Sequence, residues 1–225
     1  MTLKNKSFFV NIDNMILLTN IQNIYVIFAS IGIAIILVLL IILYHKNVYL
    51  RKHLDRSVYF KLSHLAKYND YLLLNKYFFR FNDKDIGKVD HILISNKFIY
   101  LINDFSESGV IYGDYLDEQL HVTDKNGERM MLNHLTYNRN IARYISLANR
   151  LDISFIKGIV VINDDSHVDI SNIPEQYHIC RRCELLKTIK EIDSIDIKPF
   201  KENDIVRFIN TLDSINLKGI NENDL

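Results

Sequence analysis

The feature that most constrains this chain is an apolar run near its N-terminus. Residues 21–44 contain no charged side chain, and residues 24–44 read IYVIFASIGIAIILVLLIILY. A helix of about 20 residues spans about 30 Å, which is the hydrocarbon thickness of a bilayer, and satisfies its own backbone hydrogen bonds. A buried core helix and a cleaved signal peptide are the alternatives, but the run is long and no small-residue cleavage site follows it. We therefore predict a transmembrane helix over residues 21–44. Residues 24–44 are expected to contact the lipid bilayer.

The cations on either side of this run predict its orientation. Residues 46–56 contain four lysine or arginine side chains, whereas Lys4 and Lys6 lie farther away on the other side. The positive-inside rule therefore places the C-terminal part of the chain in the cytoplasm. The chain has only two cysteines, which agrees with a reducing compartment. We predict a single-pass protein of the cell membrane with a cytoplasmic folded domain.

Composition excludes several classes of protein. The chain has 27 Lys and Arg residues and 27 Asp and Glu residues, so its formal net charge is zero. This balance argues against a basic nucleic-acid coat protein and against an acidic solvating tail. Hydrophobic residues make up 48% and charged residues 24%, which is typical of a folded chain. Two cysteines cannot build a disulfide framework.

Hydrophobic periodicity after the apolar run predicts alternating helices and strands. The predicted elements are helices at about 52–67, 134–151, 184–192 and 201–215, and strands at 71–81, 88–95, 97–104 and 155–164. Turn sequences at Ser95-Asn96-Lys97 and Asn126-Gly127 predict two hairpins. The order favours an α/β or α+β fold, in which one mixed sheet is flanked by helices.

The segment Lys88–Asp114 carries several motifs in a fixed order. Val89-Asp90-His91-Ile92 opens it, and a Gly-x-Ile-x-Gly segment occupies residues 109–113. These motifs resemble the core of the nuclease-related domain (NERD) family, in which an Ile-Asp-His-Ile type motif precedes Glu-x-Lys and Gly-x-Ile-x-Gly. Asn133 and Asn138 fall where that family has an Asn-Pro-x-x-Gln-Asn signature.

The resemblance covers about residues 54–190 and implies a restriction-endonuclease-like fold. It also implies magnesium-assisted hydrolysis of phosphodiester bonds, in which carboxylates hold the ion and a lysine assists. The predicted divisions are a short N-terminal segment at 1–20, the transmembrane helix at 21–44, a basic juxtamembrane segment at 45–53, a NERD-like domain at 54–200, and a C-terminal helix and tail at 201–225.

The chain departs from the family at the residues that carry this chemistry. The Glu-x-Lys pair aligns with Asn103 and Phe105, which provide neither the negative charge nor the ammonium group. The early helix glutamate aligns with Asp55. Asp90 is the residue retained from the central metal set, and one carboxylate is a weak site for Mg²⁺.

Two neighbouring residues could restore a site. Lys88 precedes Asp90 by two positions and therefore shares its strand face, where it could replace the lost lysine. Strand alternation points Asp104 away from that face, unless a bulge turns it back. The candidate catalytic set implied by the resemblance is Asp90, Asn103, Lys88, Asp104 and Asp55, with Asp90 as the metal ligand.

From these substitutions we expect a catalytically degenerate protein that binds nucleic acid or a protein partner at the membrane. We expect no cofactor in that case. The alternative is an active nuclease with a rearranged site, which would need Mg²⁺. The oligomeric state stays open. The C-x-x-C at 180–183, which follows His178, favours a structural role, because zinc needs a second pair of ligands.

Overall fold

The computed structural model describes residues 32–33, 35–44, 53–81 and 84–215. The chain divides into two compact units, Met1–Leu50 and Arg51–Leu225.

In the first unit, the described part of helix α1 covers residues 32–33 and 35–44. Its apolar side chains between 35 and 44 are all more than half exposed. Among the residues that the structure describes, no helix combines the length and the apolar character needed to cross a membrane. The predicted transmembrane helix also includes residues 21–31 and 34, which lie outside the described residues.

The second unit combines helices and strands, as the sequence pattern predicted. The helices are α2 (Leu54–Tyr68), α3 (His134–Asn149), α4 (Leu185–Asp193) and α5 (Glu202–Ile215), with a 3₁₀ turn at Ile153–Phe155. The strands are β1 (Leu72–Phe81), β2 (Lys84–Ile94), β3 (Ile99–Phe105), β4 (Val110–Asp114), β5 (Gln119–Asp124), β6 (Gly127–Leu132), β7 (Ile156–Ile162), β8 (His167–Ser171) and β9 (Tyr177–Arg181).

The larger sheet is mixed and has the order β1-β2-β3-β7-β9. Its first three strands are antiparallel, whereas β7 is parallel to both β3 and β9. The hairpin between β2 and β3 is tied by Ser95, whose Oγ accepts the Phe98 N–H at 2.9 Å and the Lys97 N–H at 3.1 Å. The hairpin predicted at Ser95-Asn96-Lys97 is therefore confirmed.

Helices cover both faces of this sheet. On one face, α2 and α4 pack against a cluster that includes Leu93, Tyr100 and Ile102. The predicted apolar stripe of α2 is fully buried there; it comprises Leu54, Val58, Leu62 and Leu65. On the other face, α3 and α5 pack against Ile92 and Leu101. Both faces of the central strands are thus buried, which explains their continuous apolar runs.

A second sheet corrects the prediction of one mixed sheet. Its order is β6-β5-β4-β8, and the predicted hairpin at Asn126-Gly127 joins β5 to β6. Strand β4 pairs in parallel with β8, from Val110 opposite His167 to Asp114 opposite Ser171. This pairing joins distant parts of the chain and is encoded by no local turn, so periodicity alone does not reveal it.

Candidate functional site

A cleft of about 560 Å³ lies where β3 ends. The starts of α2 and α3, the middle of β2 and the end of β6 supply the rest of its lining. All five candidate residues line it: Asp55, Lys88, Asp90, Asn103 and Asp104. Asp104 is among them although strand alternation was expected to point it away, and the chemical role of the five residues is a separate question.

Pairing of β2 with β3 brings the two central segments of the cleft together. The register places His91 opposite Ile102, so Asp90 and Asn103 follow as near neighbours. At this point the Asp104 N–H donates to Asp90 Oδ2 at 3.0 Å. Because β2 and β3 are held by a buried hairpin core, these positions are rigidly set.

The two asparagines of the family signature hold α3 at the edge of the cleft. Asn133 is the N-cap, and its Oδ1 accepts the Leu135 N–H at 3.0 Å. Its Nδ2 also donates to the carbonyl of Asp117 at 2.8 Å. Asn138 donates from Nδ2 to the Leu101 carbonyl at 3.1 Å and so joins α3 to β3. These bonds place the first residue of α3, His134, in the cleft.

Both carboxylate oxygens of Asp90 are engaged. Oδ1 lies 2.9 Å from Lys88 Nζ, and Oδ2 accepts the Asp104 N–H. The Lys88 side chain is 48% exposed, so this ion pair lies at the mouth of the cleft and is partly screened by solvent. The prediction that Lys88 and Asp90 share a face of β2 is confirmed by this contact.

Asn103 is buried and oriented by two neighbours. Its Nδ2 donates to the Lys88 carbonyl at 3.0 Å. Because a carbonyl oxygen can only accept, this bond fixes the orientation of the amide. The same Nδ2 lies 3.1 Å from His134 Nδ1, which must then accept. Burial lowers the pKa of His134, while the charge of Asp90 opposes that shift. A neutral His134 with its proton on Nε2 satisfies both observations.

Asp104 lies on the opposite face of β3 from Asn103 and yet lines the same cleft. Its Oδ2 lies 3.2 Å from His91 Nε2, and His91 Nδ1 lies 2.7 Å from Asn75 Oδ1. Burial raises the pKa of Asp104; the contact with His91 opposes this rise, and the charges of Asp90 and Asp55 add to it. The cleft reaches both faces because it surrounds the end of β3, so no bulge is needed to bring Asp104 in.

Two buried acceptors in the cleft lack a donor. They are Asn103 Oδ1 and Asp104 Oδ1, and no hydrogen-bond donor among the described residues reaches either atom. Buried polar atoms in folded proteins are nearly always hydrogen-bonded. These two oxygens therefore indicate where a bound molecule or solvent completes the site.

Phe105, which the resemblance aligns with the family's lysine, belongs to the hydrophobic core. It is 3% exposed and packs in a cluster with Ile111, Leu120 and Leu135. Its ring meets the ring of His134 edge to face at 5.8 Å between centroids. A lysine at this position would have to bury its ammonium group among apolar side chains or reach past His134 into the cleft.

The residues present do not form the magnesium site that the resemblance implies. In the described parts of the chain, no group of three or more His, Cys, Asp or Glu side chains is arranged to hold a metal ion. Asp90 is already paired with Lys88, and Asn103, which the resemblance aligns with the second carboxylate, is neutral. Magnesium needs its oxygen ligands at about 2.1 Å around one point, and the described carboxylates of the cleft are not arranged in that way.

The sequence did not reveal the roles of the two histidines. His91 follows Asp90 on β2 and therefore points to the other face, where its Nε2 contacts Asp104. His134 is the first residue of a predicted helix. Its position at the helix N-terminus was the one sequence feature that could have indicated a place in the cleft.

The C-x-x-C at the end of β9 is held as a structural turn. Asp164 receives the Arg182 guanidinium and, through Oδ1, the Cys183 N–H at 2.8 Å. Burial raises the pKa of the Cys180 thiol to about 12, and the pKa of Cys183 is also raised. A raised pKa lowers the fraction of reactive thiolate, which agrees with the structural role expected for this motif.

Comparison with known families identifies the domain around this cleft. The sequence model of the family described as the nuclease-related domain matches residues 52–163. The chain belongs to the nuclease-related domain family. The mixed sheet with helices on both faces is consistent with the restriction-endonuclease-like superfamily. No match was found among curated proteins or among solved structures. The NERD match contains α2, β2, β3 and the start of α3, and so it includes the whole described lining of the cleft.

Proposed function

We propose that this chain is a non-hydrolytic NERD protein that is anchored in the cell membrane and uses its cleft for binding. The observation that carries the proposal is the position of Phe105, which is a core residue where the family has its lysine. The neighbouring Asn103 carries no charge, and the orientation of its amide is fixed by the Lys88 carbonyl.

Hydrolysis of a phosphodiester needs charge stabilisation that this cleft does not provide. The developing negative charge on the phosphate is normally balanced by a metal ion and by a positioned cation. Here the nearest ammonium, that of Lys88, is already held by Asp90 at 2.9 Å. Asn103 and Phe105, which align with the family's glutamate and lysine on β3, therefore provide neither the negative nor the positive charge that hydrolysis needs.

The charges in the cleft favour a protein partner over nucleic acid. Its described lining contains the carboxylates of Asp55, Asp90 and Asp104 and the single ammonium of Lys88. Affinity for nucleic acid comes mostly from Lys and Arg that neutralise phosphates, and the whole chain has a net charge of zero. An electrophoretic shift assay with labelled DNA and RNA at low salt tests this point. A salt-dependent shift that Lys88→Gln abolishes would contradict the preference for protein.

Anchoring in the membrane is supported by the exposed apolar surface of α1. The side chains of Ile35–Tyr44 are all more than half exposed, and such a continuous apolar surface is unusual in water. The uncharged run at 21–44 has the length that a bilayer requires. Membrane fractions washed with alkaline carbonate should retain the full chain. Release by the wash, as for a peripheral protein, would contradict the anchor.

A cleavage assay tests the central part of the proposal. The full chain in a non-ionic detergent is incubated with end-labelled single- and double-stranded DNA and RNA, with Mg²⁺ or Mn²⁺. We expect no metal-dependent cleavage above a mock preparation. The second candidate function is an active nuclease that uses Asp90 with Asp104 or Asp55 and Lys88. The unpartnered oxygens of Asn103 and Asp104 are the observation that favours it.

The matched variants are Asp90→Ala, in the cleft, and Asp169→Ala, an exposed carboxylate on β8. Metal-dependent cleavage that Asp90→Ala abolishes and Asp169→Ala leaves intact would establish the nuclease and refute the proposal. Cleavage that both variants retain would show a contaminating enzyme, and the preparation would be repeated with further purification until the Asp90 comparison decides.

A further inference from the structure

We infer that the cleft binds an organic cation, namely a protonated amine or guanidinium group, and not a phosphate. The inference deepens the proposed function, because it names the chemistry that a non-hydrolytic cleft recognises. The shared chemistry can come from a free amine or from a basic side chain of a partner protein, and the test below separates these two sources.

The first argument is the two buried oxygens that lack donors. Asn103 is 1% exposed and the Asp104 side chain is 7% exposed, and the described residues bring no donor to either Oδ1. Both atoms can only accept when Asp104 is ionised, and the amide of Asn103 cannot flip because Nδ2 is held by the Lys88 carbonyl. A phosphate also offers acceptors, so it would face these oxygens without a proton between them.

The second argument is the sign of the charge that faces the cleft from each element. Asp55 comes from α2 and Asp104 from β3, while β2 brings both Asp90 and Lys88. From α3 comes His134, whose pKa is lowered by burial and which accepts through Nδ1. His53 also lines the cleft, and even if it is counted with Lys88 as a cation the three carboxylates outnumber the positive groups, so this potential attracts cations.

The third argument is a contact already present. Lys88 Nζ lies 2.9 Å from Asp90 Oδ1, so the protein's own ammonium already occupies one acceptor of the cleft. The buried, unpartnered oxygens belong to Asn103 and Asp104, whose side chains lie on the two faces of β3. A guanidinium presents five N–H donors in a planar fork and can reach separated acceptors, whereas Mg²⁺ needs its ligands at about 2.1 Å around one point.

The test uses the full chain in a non-ionic detergent and isothermal titration calorimetry. Agmatine, which carries a guanidinium and a primary ammonium group, is the free-amine probe. A short peptide with one central arginine and neutral flanking residues represents a partner's side chain, and the same peptide with citrulline is its control. MgCl₂, sodium phosphate and a thymidine oligonucleotide are titrated separately.

We expect agmatine to bind at low ionic strength and the affinity to fall as NaCl is added. Asp104→Asn should weaken binding about tenfold, because the substitution keeps an acceptor oxygen but removes the negative charge that faces the cation. Asp169→Asn, which changes an exposed carboxylate outside the cleft, should leave the affinity unchanged. Tighter binding of the arginine peptide than of agmatine, with none for the citrulline peptide, would assign the cation to a protein partner; the reverse order would assign it to a free amine.

Three results would overturn the inference. Agmatine and the arginine peptide could both fail to bind at millimolar concentration. Mg²⁺ could bind and displace agmatine, which would make the cleft a metal site. The oligonucleotide or phosphate could bind in a way that Lys88→Gln abolishes. Circular dichroism of each variant confirms that it folds. Cleavage on the same preparation refutes the proposed function, whereas absent binding without cleavage refutes this inference alone.

Discussion

Replacement of Phe105 by alanine tests whether this side chain, which the resemblance aligns with the family's lysine, is part of the core. Phe105 is 3% exposed and packs with Ile111, Leu120 and Leu135. Removal of a buried phenylalanine ring lowers the free energy of unfolding by about 3–5 kcal/mol, through lost transfer energy and the cavity left behind. The total stability of a domain is on the order of 5–15 kcal/mol, so this loss is a large fraction of it.

Urea unfolding of the full chain in a non-ionic detergent measures this loss by circular dichroism, because the chain has no tryptophan for fluorescence. Phe105→Leu retains much of the volume and should cost about 1–2 kcal/mol, so it remains measurable if the alanine variant does not fold. The matched control is Phe60→Ala on α2, where the ring is 59% exposed and the cost should be within about 0.5 kcal/mol. Equal costs for Phe105→Ala and Phe60→Ala would refute the placement of Phe105 in the core.

Two further predictions concern the backbone and the pH dependence. Gly109 has a positive φ of 122° and Gly127 one of 112°. A Cβ added at Gly109 would lie 2.3 Å from the Thr123 carbonyl oxygen, whereas a Cβ added at Gly127 would meet no atom within 4 Å. Gly109→Ala should therefore lower the urea midpoint more than Gly127→Ala, by a difference equivalent to about 1–3 kcal/mol, and equal midpoints would contradict the packing at Gly109. The raised pKa of Asp104 means that the folded state holds this proton more tightly than the unfolded state, so its contribution to stability is lost as the pH rises above about 4. The urea midpoint of Asp104→Asn minus that of the unchanged protein should therefore become more positive from pH 4 to pH 7. A flat or falling value would contradict the burial of Asp104.

Local features of the fold could be predicted from the sequence. The hairpin between β2 and β3 follows from the turn at Ser95-Asn96-Lys97, and that between β5 and β6 from Asn126-Gly127. Buried strand β7 and the apolar stripe of α2 follow from periodicity. The predicted end of α3, residue 151, lies two residues beyond the observed end at Asn149. Arg150 ends the helix in a left-handed conformation, which is not expected for an arginine.

Non-local features could not be predicted in this way. The second sheet depends on the parallel pairing of β4 with β8, which no turn sequence specifies. Strand alternation correctly placed Lys88 with Asp90, but it could not show that the cleft surrounds the end of β3 and includes Asp104. The contacts of Asp104 with His91 and of Asn103 with His134 arise from packing between elements that are distant in sequence. Each of these features needs tertiary geometry, which hydrophobic patterns do not contain.

Metal-dependent cleavage of end-labelled DNA and RNA by the full chain is the most direct measurement of the central claim. With Phe105 in the core and Asn103 neutral, we predict intact substrate in both Mg²⁺ and Mn²⁺ after prolonged incubation. Cleavage that depends on the metal and disappears in Asp90→Ala, but not in Asp169→Ala, would contradict the claim and show that the rearranged cleft is an active nuclease.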